Sequence, residues 1–194
     1  MLIAHAPAGY LLTKTFAMWS SKNKWLYFLA GIFGSIAPDI DVIYFWFYTN
    51  HSVSHHRYWS HTPYYWMIIC ACFLIPAILI NRKLFFTGFL FFSNVFLHLF
   101  LDTIVGGIMW NYPNDNVLMR LITVPAKLNP TKIYEYGELG VPGWVLNLMN
   151  HWTFQIELAI VCTAAIIFII SLLSRILIKS RMYLSNAQVV RRSA

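Results

Sequence analysis

The sequence predicts an all-α, polytopic membrane helix bundle of four to five membrane helices with a long outer loop. Two observations predict it. Of 194 residues, 59% are hydrophobic and only 11% are charged, whereas a soluble domain carries about 25% charged residues. Apolar runs of membrane-crossing length also recur, separated by short basic or polar turns, and ~20 apolar residues span a bilayer core. A single membrane-embedded domain is expected over residues 1–178, followed by a basic cytoplasmic tail over 179–194 that is expected to be mobile.

In order, residues 4–20 form a moderately apolar helix interrupted by Lys14, which makes it the weakest candidate span. The run over 25–48 is clearly apolar, but Pro38-Asp39-Ile40-Asp41 must break any helix there, because proline lacks the N–H an interior turn requires. A histidine-rich stretch, His51 to His61, leads into the span 63–80, with Pro63 suited to a first helical turn. Asn81-Arg82-Lys83 turns the chain into the run 84–110. Residues 111–150 form a long polar loop with prolines at 113, 125, 130 and 142, and a loop of that length is usually functional. Within it, Val141 to Trp152 suits a short interfacial helix with Trp144 and Trp152 at headgroup depth. The last span covers 154–178.

The net charge of +7 does not indicate nucleic acid, because basic residues gather at the ends of apolar runs and form no patch with interleaved aromatics. Lys22, Lys24, Arg82, Lys83, Lys179, Arg181, Arg191 and Arg192 read as cytoplasmic anchors, which puts the 49–62 and 111–150 segments outside. The start, Met-Leu-Ile-Ala-His-Ala-Pro, lacks a basic signal-peptide region and is expected to be retained. Cys70, Cys72 and Cys162 lie in apolar runs and suggest neither disulfides nor thiolate metal ligands.

Ionisable groups in hydrocarbon are costly, so those present are functional candidates. Helical rise converts position into depth. Asp39 lies 14 residues into the run starting at 25, His98 and Asp102 lie 14 and 18 into the run starting at 84, and His5 lies 15 before Ser20. These offsets correspond to roughly 21–27 Å in a core about 30 Å thick. His61 lies two residues before the next span on the same side. Ligand-type residues from several helices therefore reach one level near the outer face.

His98 and Asp102, four apart, share one helix face and can chelate a transition metal or simply bond helices together. Asp39 and Asp41 stand about 200° apart on a helix, so one is expected as a ligand and the other as its supporting or capping carboxylate, with Asp39 the preferred ligand. His56 and His61 offer imidazoles that, with carboxylates, suit zinc. Arg57 can grip a phosphate oxygen; His51 and His55 fit the surface better. His5 is either a further ligand or a polar residue at a membrane edge. His151, Gln155 and Glu157 either complete a second metal position or form a polar contact between helices.

As an ordered set, Pro38-Asp39-Ile40-Asp41, His56-Arg57-Tyr58-Trp59-Ser60-His61-Thr62 and His98-Leu99-Phe100-Leu101-Asp102, with Gly106, Gly107 and Pro113, resemble the YdjM-like family of bacterial membrane-bound metal-dependent hydrolases. That family is grouped with the zinc-dependent phospholipase C and P1 nuclease superfamily, and the resemblance covers about residues 1–115. It implies a zinc core on Asp39, His61 or His56, His98 and Asp102, with His5 matching an N-terminal histidine ligand. The chain departs from the superfamily in lacking a histidine soon after Asp102 and in having His151 and Gln155 where a histidine and a glutamate are expected, so one or two ions suit it better than three. The expectation is a hydrolase of the bacterial inner membrane with its site near the periplasmic face. Its partners would be membrane lipid and a lipid or lipid-linked phosphoester, with whichever of Asp39 and Asp41 is not a ligand as general base or water-orienting group and Arg57 holding phosphate. A divalent-metal transporter and a non-catalytic scaffold are the alternatives.

Overall fold

The computed structural model describes residues 3–17, 24–48, 55–123 and 143–193. Its helices are α1 (His5–Ala17), α2 (Lys24–Ile36), α3 (Asp41–Tyr48), α4 (Pro63–Ile80), α5 (Arg82–Val105), α6 (Gly143–Met149) and α7 (Thr153–Ser193). Short 3-10 turns lie between α2 and α3 (Ala37–Ile40) and between α3 and α4 (His55–Arg57 and Trp59–His61). No strand occurs among the described residues, only an isolated bridge between Ile108 and Met119.

Among the described residues, three helical segments are long and apolar enough to cross a membrane: Pro63–Ile80, Arg82–Val105 and Thr153–Met182. α1 has 13 residues, about 20 Å of helix against a core of about 30 Å. The run over 25–48 is two helices with a 3-10 turn between them, where Pro38 withholds an N–H. Through the stretch read as a basic tail from 179 onward, α7 continues as one helix to Ser193. The interfacial helix expected over 141–152 is the shorter α6. Much of the expected outer loop, 124–142, lies outside the described residues.

α5 is the central post, packed against α1, α2 and α4, and α1 also meets α7. Asn81 starts α5 by accepting the Lys83 N–H on its side-chain oxygen at 2.8 Å, which satisfies one of the open donors of the first turn. The far end of α5 is finished by Gly106 and Gly107, whose N–H groups both reach the Asp102 carbonyl, at 2.8 and 2.9 Å. Gly107 turns the chain with φ +88, a conformation that side chains disfavour. The chain then folds back, and the Leu121 and Ile122 N–H groups satisfy the carbonyls of Thr103 and Ile104.

Trp66, Phe92, Val95, Leu99 and Ile108 form an apolar cluster between α4, α5 and the fold-back. α4 and α7, by contrast, expose isoleucine and leucine on most of their surface, as helices facing lipid do. Polar residues run the other way: His5, His61, His98 and Asp102 are all buried. They gather where α1, the 3-10 turns and the last turns of α5 meet.

Candidate metal centre

Three imidazoles of the cluster are aimed by what their Nδ1 atoms touch. His98 Nδ1 lies 2.8 Å from the Ser35 carbonyl, His56 Nδ1 lies 3.1 Å from the Gly107 carbonyl, and His61 Nδ1 lies 2.8 Å from Asp41 Oδ2. All three partners only accept hydrogen bonds, so each Nδ1 carries a proton and Nε2 is the nitrogen that each ring, once neutral, presents to a metal. Metal-binding histidines are oriented in this way.

Two of these Nε2 atoms then meet carboxylate oxygens. His98 Nε2 is 3.0 Å from Asp102 Oδ2 and 3.6 Å from Asp39 Oδ1. His61 Nε2 is 3.6 Å from Asp102 Oδ2 and 3.5 Å from Asp39 Oδ1. Four acceptor atoms thus close a ring, and the buried His98 Nε2 makes no hydrogen bond. Acceptors facing one another at this range are held by positive charge between them, a proton on His61 in the metal-free protein or a bound cation in its place. Zinc–ligand bonds near 2.0–2.1 Å place tetrahedral ligands about 3.3 Å apart, and the four edges of the ring lie between 3.0 and 3.6 Å. The donor set, two imidazoles and two carboxylates, suits a divalent transition metal.

A second set of donors adjoins the ring. Asp102 turns its other oxygen, Oδ1, to His5 Nε2 at 3.2 Å, so one carboxylate faces two directions. The His5 ring stacks on His98 with centroids 3.8 Å apart, and the His56 ring stacks on His61 at 4.8 Å. The ligand atoms of His5, Asp39 and His98 all lie within 4.8 Å of one another, as do those of His56, His61 and Asp102. Either trio could hold an ion.

Asp41 stands behind the ring. It is buried, and its Oδ2 accepts from both Ser60 Oγ and His61 Nδ1. Asp39 and Asp41 therefore do not converge on one point; they grip opposite nitrogens of His61, and the 3-10 turn over Ala37–Ile40 supplies the irregular backbone. Burial works against charging the His61 ring, but the bonds to Asp39 and Asp41 outweigh it and hold the metal-free imidazole at a pKa of about 9. Trp66 Nε1 donates to the Ser60 carbonyl at 2.6 Å, which fixes the strip that carries His61.

The remaining sequence candidates lie elsewhere. Arg57 is exposed and reaches the Asn116 carbonyl at 3.4 Å. It lines an open cavity of about 300 Å³ with Trp59, Thr62, Tyr65 and Tyr112. His151 turns its Nδ1 to Thr153 Oγ1 at 2.9 Å, Gln155 is exposed, and Glu157 Oε2 accepts the Ile3 N–H at 2.7 Å, tying α7 to the start of α1. His51 and the His55 side chain lie outside the described residues. The carbonyls of Ser35 and Gly107 carry no side-chain signal in the sequence, and Gly106, which the family resemblance includes without a role, lies against His56. A Cβ on Gly106 would fall 2.3 Å from His56 Cε1.

An all-helical membrane protein with a buried histidine–aspartate cluster at one end of its bundle is the class these features define. Within that class, the chain belongs to the YdjM inner membrane protein family, which matches residues 1–180. No match occurs among the curated proteins or the solved structures.

Proposed function

We propose that the chain is a zinc-dependent hydrolase of the bacterial inner membrane, acting near the periplasmic face on a phosphoester of a lipid or lipid-linked substrate. The observation that supports it most is the ring of Asp39, His61, His98 and Asp102, whose facing ligand atoms fit a divalent ion at every measured edge. His5, in reach of Asp39, His98 and Asp102, and His56, in a trio with His61 and Asp102, would each add a donor beside the ring and could serve a further ion. Zinc at such a site lowers the pKa of bound water to about 7 and offsets charge on a phosphoryl group.

The residues divide the remaining work. Asp41 and the carbonyls of Ser35 and Gly107 hold the imidazoles in the ligating tautomer. Asp39 is the carboxylate at the mouth: 37% of its side chain is exposed, against 2% for Asp102. The ring uses its Oδ1, so Oδ2 would be the oxygen to take a proton from an attacking water. Arg57, on the cavity beside the strip that carries His56 and His61, grips a substrate phosphate oxygen. Lipid-facing α4 and α7 favour a substrate that arrives through the membrane.

The test is elemental analysis of detergent-purified protein, paired with hydrolysis of phospholipids and lipid-linked phosphates with and without chelator. Stoichiometric metal and chelator-sensitive release of phosphate or phosphoalcohol, both lost in Asp102→Ala, are expected. A second reading, a purely structural centre, draws on the bonds that tie α2 and the 3-10 strip to α5 through His98 and His56. Under that reading the protein holds metal and gains stability from it but hydrolyses none of these substrates.

A further inference from the structure

At the end of the bundle opposite the histidine–aspartate cluster, a cavity of about 440 Å³ opens between α1, α2 and α5, within the range of pockets that take small ligands. Its mouth carries Arg82 and Lys83, both exposed, in the first turn of α5. Its walls are the rings of Phe16, Tyr27, Phe86 and Phe89, and it ends on the buried Leu90. None of the lining residues is acidic.

The geometry points to a binding site for one anionic phospholipid, with its phosphate at Arg82 and Lys83 and the upper part of an acyl chain in the aromatic groove. Dimensions and chemistry both favour that occupant. From Arg82 to Leu90 the wall runs eight residues along α5, about 12 Å, close to the half-thickness of about 15 Å of a bilayer core. Asp102 lies a further twelve residues along, about 18 Å away, so this site is separate from the metal centre.

Charge and apolar surface are arranged as in the ligand itself. The Arg82 guanidinium sits 5.6 Å from the Phe86 ring centroid, which holds its stem along the groove and its head at the mouth. Phe16 and Phe89 meet edge to face at 5.7 Å and bridge α1 to α5. A free phosphate would use only the two cations and leave four rings wet. A neutral lipid would use only the rings. A lipid carrying net negative charge uses both, and basic pockets between membrane helices are known headgroup sites.

Native mass spectrometry of the full chain, released from bilayer discs of mixed phosphatidylglycerol and phosphatidylcholine, tests this. One phosphatidylglycerol is expected to remain at energies that strip phosphatidylcholine. Each cation contributes roughly fivefold near a membrane surface, so Arg82→Gln with Lys83→Gln should lower retention about thirtyfold. Lys179→Gln with Arg181→Gln removes two charges outside the cavity and should leave retention unchanged. Because charge removal can disturb insertion, Phe16→Ala with Phe89→Ala keeps both cations and should also abolish selective retention. Inorganic phosphate at 10 mM (about a hundredfold over protein) should not displace the lipid. Equal loss in both charge variants, no step at one bound lipid, retention surviving loss of the rings, or displacement by phosphate would each overturn the proposal.

Discussion

Replacing Gly106 by alanine should weaken metal binding although Gly106 is not a ligand. Gly106 has φ −74 and ψ −38, helical values that alanine prefers by roughly 1 kcal/mol. On backbone grounds the variant should be more stable. The obstacle is His56: the new Cβ would lie 2.3 Å from its Cε1 and 2.9 Å from its Nδ1, against contact distances near 3.5 Å. The ring must therefore retreat by about 1 Å. It is buried, stacked on His61 and held at 3.1 Å to the Gly107 carbonyl, so retreat breaks that hydrogen bond. Losing the partner that orients a ligating histidine costs about 10–100-fold in metal affinity. Competition against a chromophoric chelator, with thermal unfolding of the metal-free form alongside, separates the two effects. Zinc affinity within twofold of wild type would refute the placement of His56 in the metal centre.

Other consequences follow from the same contacts. Asp41→Asn keeps the shape behind His61 but removes its anionic partner; metal affinity should fall about 10–100-fold, measured by the same competition. Asp102→Asn removes the carboxylate that faces both donor sets, and metal content should fall below one ion per chain by elemental analysis. Metal binding should also depend on pH, because a cation must displace the proton that metal-free His61 holds up to about pH 9. Apparent affinity should rise about tenfold per pH unit between pH 7 and 8 and level off above 9. For the metal-free protein the sign reverses: the raised His61 pKa stabilises fully below 6.5, and that stability is lost as pH rises through about 9. Denaturant unfolding at pH 6 and pH 9.5 in the presence of chelator checks it.

The helical class was legible because composition and apolar run length respond to the membrane itself. The meeting of His5, Asp39, His61, His98 and Asp102 was legible because helical rise turns residue number into depth. Roles within the cluster were less so. Depth arithmetic gives height without azimuth, and the Asp39–Asp41 spacing poses a conflict that resolves only once an imidazole is seen between them. Among the described residues three helices have the length and apolarity of a span, and the apolar run 25–48, which also has that length, breaks its backbone in the middle. The straight continuation of α7 past 178 carries no apolar signal, since its sequence there is basic and polar.

Proline at position 38 explains why the centre forms at that break. In an unbroken helix the Ser35 carbonyl would accept an N–H from four residues on; in a 3-10 turn it would accept from three on, which is Pro38, and proline has none. Ser35 is buried, so its carbonyl needs another donor, and the one 2.8 Å away is His98 Nδ1. A carbonyl freed by a broken helix thus sets the tautomer of a ligand on a different helix, and Gly107, just past the end of α5, does the same for His56. Irregular backbone at membrane depth is tolerated only where buried partners satisfy it, and here those partners are the imidazoles. Pro38→Ala should therefore act in two directions. Relief of the proline penalty, up to about 3 kcal/mol in a helix interior, should raise helical content across 36–41 and the stability of the metal-free protein. The continued helix would recapture the Ser35 carbonyl and carry Asp39 off the ring, lowering metal affinity by tenfold or more. Helical content by circular dichroism and affinity by chelator competition should move in opposite senses; a rise in both would sink this account of the centre.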